Sequence, residues 1–330
     1  MSKSRDTGKK TRIGGQSLIE GIMMKGVSKS AMAVRKKDGS IAVEEWDEPP
    51  RKWYEKAPLI RGSVNFIKQL LEGYRCMMKS AEISGMMEDE SEEEPSRFEK
   101  WLDDKLGDKL TDVIMAVAMV IGVALAVVLF MFVPSYLFSL IETLVGEGRD
   151  ISAWKAVFEG VLKLAMFVGY MALVAQMKDI RRTYEYHGAE HKTIACYEAG
   201  KELTVENIRP MVRFHPRCGT SFIIITFIVG ILFYSIVPIE PAEWFGIENN
   251  TLGVILRVLI KLVLLPIVVG ISYELIRLAG KYTNTFTRII SAPGLWMQRL
   301  TTKEPDDSQI EVAVAALTPC LPKEGEDDNW

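Results

Sequence analysis

Three histidines, His187, His191 and His215, are the residues of this chain whose type and spacing suggest chemistry. The first two stand in the run His187-Gly188-Ala189-Glu190-His191, and the third opens His215-Pro216-Arg217-Cys218. On a helix turning about 100° per residue, positions i and i+4 lie about 40° apart, so two imidazoles can meet one ion. Glu190 falls about 60° from His187, where zincin-type helices carry the carboxylate that activates a water. His215 and Cys218 are the natural further donors, because their Pro-containing turn must return to the same membrane face. If His187, His191 and His215 bind a metal and Cys218 stays free, the site keeps an open position and suits hydrolysis, with Glu190 as the catalytic base. If Cys218 binds as well, the site is closed and structural. Both sets fit the spacing. Nitrogen and sulfur donors favour zinc, and iron or manganese fits if a carboxylate joins.

The element that must position the first pair is helical. The pattern predicts that the second hydrophobic run continues as one helix to Gly200, a natural C-terminal stop. A regular helix places Cys196 about 180° from His187. It returns Glu198 to the histidine face, but about 16 Å further along the axis.

Hydrophobic residues make up 48% of the chain, yet the first hundred residues are polar. The apolar mass lies between residues 113 and 276. Val113–Ile141 carries no charge, which is long enough to span a bilayer with tilt or a kink at Pro134. Ala156–Met177, Gly219–Val237 and Leu252–Ile276 are three further spans. The loop from Lys178 to Cys218 holds eight Lys or Arg, residues 238–256 hold none, and 142–155 hold Arg149 and Lys155. The positive-inside rule then places the N-terminus, the 178–218 loop and the C-terminus in the cytoplasm, with Trp154 and Trp244 near the outer interface. All four cysteines fall on the cytoplasmic side, which disfavours disulfides and permits a thiolate ligand. Within the spans, Glu159 and Lys163 are spaced i,i+4, as are Arg257 and Lys261. Such charges either snorkel and pair locally or mark a functional path. Glu274 is expected to pair with Arg277 or to serve the site.

Ile13–Gly26 reads as a glycine-rich loop and amphipathic turn. Ala31–Trp46 reads as a hairpin around Asp38-Gly39. Ser63–Glu82 reads as a helix with Val64, Ile67, Leu70, Leu71 and Tyr74 on one face, set against the hairpin or the membrane. Ser96 opens an interfacial helix after an acidic linker, and Ser308–Leu317 a short helix capped by Ser308 and Glu311. The tail from Pro322 is acidic and is expected to be disordered. The fold class that follows is a mainly α, integral membrane protein. It has a four-helix transmembrane bundle and a small cytoplasmic N-terminal region of one β-hairpin plus amphipathic helices. The expected organisation is a cytoplasmic α+β region over 1–85 and an acidic linker over 86–95. The interfacial helix and four spans, with their His-rich loop, cover 96–276, and a basic juxtamembrane segment with its acidic tail covers 277–330.

Five segments carry a wider likeness: IGGQSLIEGIMMKG at 13–26, PLIRG at 58–62, HGAEHKTIACYE at 187–198, RFHPRCGTSF at 213–222 and TTKEPDDSQIEVAVAAL at 301–317. Together they resemble the YqhQ-like family of bacterial membrane proteins, a domain of unknown function for which metal-dependent catalysis has been suggested. The resemblance implies an inner-membrane protein with a metal site, and an approach of Glu20 and the Gly14-Gly15 turn to that site or to a partner. Likeness to inverzincin peptidases is confined to His187, Glu190 and His191. Two functions follow as expectations. One is a metal-dependent hydrolase at the cytoplasmic membrane face, acting on a lipid-linked molecule or a membrane-protein segment. The other is a non-enzymatic assembly or scaffold factor with a structural metal. The partners expected are the lipid bilayer and another membrane protein or lipid-linked substrate, with no nucleic acid. Metal transport fits poorly, because the histidines lie outside the spans and no chain of carboxylates or histidines crosses them.

Overall fold

The computed structural model describes residues 10–86, 110–145, 151, 154–237, 239, 244–246, 250–282 and 284–329. The start of the basic lead, residues 87–95 of the acidic linker and the expected helix from Ser96 lie outside them. The chain is mainly helical, with one small sheet. It divides into two compact units, one drawn from Met1–Met86, Val168–Val229 and Leu262–Trp330, the other from Met87–Phe167 and Gly230–Lys261.

The sheet belongs to the first unit. Four antiparallel strands, β1 (Gly14–Leu18), β2 (Gly21–Lys25), β3 (Lys29–Arg35) and β4 (Ile41–Asp47), follow one another in sequence order. The hairpin expected at Ala31–Trp46 is β3–β4, turning at Asp38-Gly39, where Gly39 takes φ +83°. The segment read as a glycine-rich loop is a second hairpin, with Gly15 opposite Met24 and Leu18 opposite Gly21. Period-two alternation fails there because both faces of the sheet are covered, so β2 reads as an unbroken apolar run. Ile22, Met24, Ala31 and Ala33 meet one helical layer, while Leu18, Met23, Met32 and Val34 meet Cys76, Met77 and Ile83 on the other side.

Those last residues belong to α1 (Ile60–Ile83). Of the two settings expected for its apolar stripe, the hairpin is not the one: Ile67, Leu70, Leu71 and Tyr74 are all exposed, and α1 meets the sheet through Cys76, Met77 and Ile83. The PLIRG segment anchors the start of α1. Arg61 chelates Glu274 with both guanidinium ends, and an added Cβ at Gly62 would lie 2.7 Å from the Tyr273 side chain. Glu274 therefore binds Arg61, across 213 residues, with the nearby Arg277 charge adding to the attraction.

Among the described residues, four helices are long and apolar enough to cross a membrane: Val120–Val145, Lys155–Val174, Gly219–Ile236 and Ile255–Lys281. The first joins α2 (Leu110–Val127) to α3 (Val133–Val145) through one π turn at Val128–Phe132. Pro134 supplies no N–H and its ring clashes with the preceding turn, so the ladder widens just before it. The second is α4 (Lys155–Val174). It does not run on to Gly200 as expected: the bonds tighten to i→i−3 at Gln176 and Met177, Met177 turns extended, and α5 (Lys178–Glu198) starts afresh. Gly200, at φ +65°, closes α5. After the short α6 (Val205–Ile208) come the long apolar helices α7 (Gly219–Ile236) and α8 (Asn250–Lys281).

Inside the second unit, Glu159 is 2% exposed and is ringed by Ser135 Oγ at 2.8 Å, Lys261 Nζ at 3.3 Å and Lys163 Nζ at 3.5 Å. Local pairing thus accounts for Glu159 and Lys163, and Lys261 joins them. Arg257 donates to the Ile239 carbonyl at 3.0 Å, and Lys155 lies over the Phe138 ring.

The C-terminal elements return to the first unit. Helix α9 (Thr285–Thr301) begins at an Asn284–Thr287 capping box, and α10 (Asp307–Leu317) at an Asp306–Gln309 box, two residues before the Ser308 cap expected. Ile310, Val312, Ala313, Ala316 and Leu317 of α10 join Tyr186, Ala189 and Ile194 of α5 in the core that covers the sheet. Disorder is expected for the tail, yet its end is tied down at the buried Asp328, while Lys323, Glu324, Gly325 and Asp327 stay exposed. Asp328 accepts from Thr11 Oγ1 and from the Tyr197 hydroxyl, and its carbonyl accepts from Arg12 N. Its acidic composition hides this, because the carboxylates that matter are answered by distant donors.

Between α9 and α10 the chain crosses α5 at Gly188, where an added Cβ would lie 1.9 Å from the Lys303 carbonyl oxygen. Lys303 N donates to the Tyr184 carbonyl at 2.8 Å, so the crossing is tied on both sides. Gly188→Ala is expected to lower unfolding free energy by about 1–3 kcal/mol, as overpacking does. Gly14→Ala, which meets nothing within 4 Å, should change it by under about 0.5 kcal/mol in the same denaturant titration.

Candidate metal centre

Helix α5 carries His187, Glu190 and His191 on one buried side. Their solvent exposures are 9%, 4% and 2%, so their polar atoms are withdrawn from bulk solvent. The two rings lie 4.4 Å apart between centroids. Cys218, at the foot of α7, completes the group: one donor atom from each of His187, His191 and Cys218 lies within 4.8 Å of the others.

Both rings are oriented by backbone. His187 Nδ1 lies 2.8 Å from the Thr301 carbonyl and His191 Nδ1 lies 2.6 Å from the Arg213 carbonyl. A carbonyl can only accept, so each Nδ1 carries the proton and donates it. That leaves Nε2 of each ring as the inward atom, with His187 Nε2 3.2 Å from Cys218 Sγ. Metal-binding histidines commonly show this arrangement, in which an outer carbonyl fixes the tautomer and the ring direction.

Three long-range contacts build the cage. Gln298 of α9 is fully buried; its Nε2 donates to the His215 carbonyl and to Ser221 Oγ, and its Oε1 accepts from His215 N. This amide clamps the turn that carries Cys218. Next, Gly294 approaches Ser221 so closely that an added Cβ would lie 2.4 Å from the serine Cβ. Finally, Gly15 of β1 lies against Glu190, where a Cβ would stand 3.0 Å from the carboxyl carbon. The Gly14-Gly15 approach expected from the family-like motif is therefore present, and Gly15 is the member in contact. Glu20 lies at the other end of β1, where Arg182 and the Tyr186 hydroxyl hold its carboxylate in spite of its φ of +50°.

The charges within the group are coupled. Burial opposes ionisation of Cys218, but the two imidazoles hold its thiol well below the ordinary range. Burial likewise works against charge on His187, and the thiolate overrides it, pushing that imidazole up to about 9. Burial also pushes the Glu190 carboxyl up, against the pull of both imidazoles. Glu190 Oε2 makes no hydrogen bond among the described residues.

The structure brings His187, His191 and Cys218 together as donors, with Glu190 beside them. His215 is adjacent but stands outside that set. Its ring is 5.5 Å from that of His191, and its Nε2 faces Arg217 at 3.1 Å and Glu198 at 3.9 Å. Burial, then the Arg217 charge, hold this imidazole well below its ordinary value. Cys196 faces the separate sheet core, as the helical angle predicts, and Glu198 binds Thr11 N and Arg217. The residues that sequence reasoning missed are the carbonyls of Thr301 and Arg213 and the Gln298 amide. Carbonyls leave no trace in residue type. Gln298 leaves a faint one, as an amide in line with the small and hydroxyl residues Thr287, Ser291, Gly294 and Thr301 on the buried side of α9.

A divalent ion fits this donor set. Zinc bonds of about 2.0–2.3 Å at tetrahedral angles need ligand atoms roughly 3.3–3.8 Å apart. His187 Nε2 and Cys218 Sγ stand 3.2 Å apart, all three donors lie within 4.8 Å of one another, so that a modest closing of the group would seat an ion, and an orphaned carboxylate oxygen stands alongside.

Comparison with known proteins adds the family. The family described as protein of unknown function (DUF1385) matches residues 57–323. The chain is 34% identical over 315 residues to the uncharacterized protein YqhQ of Bacillus subtilis (strain 168), covering 93% of this chain and 92% of that protein. No solved structure matches the chain. The matched region contains the His/Cys cage together with α9 and α10, and by that coverage the chain belongs to the DUF1385 family.

Proposed function

We propose that this protein is a multi-pass membrane metalloprotein that holds one divalent ion between His187, His191 and Cys218 and hydrolyses a lipid-linked molecule or a membrane-protein segment at the cytoplasmic membrane face. The observation that carries the reading is the buried three-donor set beside the partnerless Glu190 oxygen. Three protein donors leave a fourth position open, as in catalytic rather than structural zinc sites. An ion bound there would supply positive charge to polarise the carbonyl or phosphoryl oxygen under attack. Glu190 Oε2 takes the proton of the attacking water and passes it to the leaving group, a role that suits a carboxyl whose affinity for a proton is raised. The Nδ1 bonds to Thr301 and Arg213 keep both rings from rotating away. Two nitrogens and a sulfur favour zinc. The cytoplasmic placement rests on the eight basic residues between Lys178 and Cys218.

The enclosure of the site favours a second reading, a structural ion in a non-enzymatic assembly factor. No member of the group is more than 9% exposed, and a closed, dry cage is what a structural site needs. The two readings part at Glu190, which the second gives no task.

Purified protein is expected to carry about one zinc per chain by elemental mass spectrometry, falling at least tenfold in His187→Ala and in Cys218→Ser. A wild-type protein that stays metal-free after zinc loading would exclude both readings. Glu190→Gln is expected to keep wild-type metal content and thermal stability. In a deletion strain it should fail to clear the lipid-linked or membrane-protein species that accumulate, although the wild type clears them. Equal clearance by the variant rules out hydrolysis through Glu190 and leaves the structural reading.

A further inference from the structure

A second chemical feature lies apart from the His/Cys cage and shares no residue with it. In the first unit, a cavity of about 350 Å³ is lined by Arg12, Arg51, Lys56, Arg61, Arg277 and Lys281, with Tyr273 and a single carboxylate, Glu55. Glu55 is already answered by Lys68, and Arg61 is held by Glu274. Arg12 also faces Asp327 at 3.9 Å, so Arg51, Lys56 and Lys281 are the cations that chiefly raise a positive potential inside this concave wall, where field lines concentrate and an anion is drawn in. The Tyr273 hydroxyl accepts from Asn65 Nδ2 at 3.4 Å, so its own O–H remains available to an oxygen anion.

The surroundings say what kind of anion. Tyr273, Arg277 and Lys281 lie at the C-terminal end of α8, one of the four helices apolar enough to span a bilayer. Arg51 and Lys56 lie in the segment leading into α1, and Arg61 in its first turn. In that same stretch Trp53, Leu59 and Ile60 are 74%, 48% and 50% exposed. Cations next to exposed apolar and aromatic side chains, at the end of a span, match the chemistry of a headgroup phosphate with its acyl chains alongside. A soluble phosphate would use the cations and leave the apolar side chains without a task.

We propose that this cavity binds the phosphate of an anionic phospholipid headgroup. The inference is independent of the metal reading, since neither the cavity nor its charges involve His187, His191 or Cys218. Arg51, Lys56 and Lys281 supply charge from exposed positions, while Arg61 keeps the wall in place through Glu274.

The test uses the full-length protein in neutral detergent, titrated by native mass spectrometry with phosphatidylglycerol, phosphatidylcholine and sn-glycerol 3-phosphate. Phosphatidylglycerol is expected to bind at least tenfold more tightly than phosphatidylcholine. The triple variant Arg51→Gln, Lys56→Gln, Lys281→Gln should lose at least tenfold of that affinity. The triple variant Lys29→Gln, Lys79→Gln, Arg209→Gln removes the same charge from surface pairs elsewhere and should keep it. Glycerol phosphate binding as tightly as phosphatidylglycerol, with the same loss in the first variant, would keep the phosphate site and assign it to a soluble ligand. The proposal is overturned if the first variant binds all three compounds as the wild type does, if both triple variants lose affinity alike, or if no phosphate compound binds selectively.

Discussion

Two imidazoles and a thiol are buried together, and every polar atom so buried needs a partner that water cannot supply. Much of the first unit answers that requirement. The outward Nδ1 atoms are met by carbonyls from two distant segments, 22 and 114 residues along the chain from their rings. The Cys218 turn is gripped by Gln298, and the crossing strand at Lys303 is admitted only because residue 188 has no side chain. Each of these contacts joins segments far apart in sequence, so the donor group cannot form before the tertiary fold does. Among the described residues three buried side-chain atoms lack a hydrogen bond, Arg35 Nε, Arg213 Nε and Glu190 Oε2, and Glu190 Oε2 is the one acceptor among them. An orphaned acceptor among satisfied neighbours is the usual mark of a position kept for a ligand or a proton.

The cage does not sit on the apolar helices alone. Its main helix, α5, is polar and is packed by a four-stranded sheet and by α10, both built from the ends of the chain. The N-terminal and C-terminal segments even meet, through Thr11, Asp328 and Tyr197. The spans contribute the foot of α7, which carries Cys218, and the end of α8, which carries part of the basic cavity. In the second unit, Glu159 with its two lysines shows how charge is tolerated among apolar helices. A carboxylate that is 2% exposed is matched by two ammonium groups and a hydroxyl.

Much of this was legible in the residues themselves. Two charge-free runs and two apolar runs interrupted by charges mark the four long apolar helices, with ends that differ from the observed ones by up to seven residues, since length and hydropathy largely decide them. The i,i+4 spacing of His187 and His191 gave the shared face, and the helical angle correctly sent Cys196 elsewhere. The Asp38-Gly39 turn gave one hairpin. The other hairpin was hidden, because Ile22, Met23 and Met24 are buried on both faces and show no alternation. The break at Met177 was hidden too, for lack of a glycine or proline to mark it. The tied end of the tail looked disordered because composition is silent about Asp328's partners. His215 was grouped with the donors by its nearness in sequence to Cys218, whereas the fold turns its Nε2 toward Arg217 and Glu198. Spacing within one helix is a local property that a sequence carries. The direction of a side chain in a turn is set by what folds over it.

The central claim is that one ion is gripped by two imidazoles and the Cys218 sulfur. X-ray absorption at the zinc edge, on full-length protein loaded with one equivalent of zinc, tests it most directly. The account predicts one sulfur scatterer at about 2.3 Å together with imidazole nitrogens at about 2.0 Å, and loss of the sulfur shell in Cys218→Ser. A shell of oxygen and nitrogen alone in the wild-type protein would contradict it.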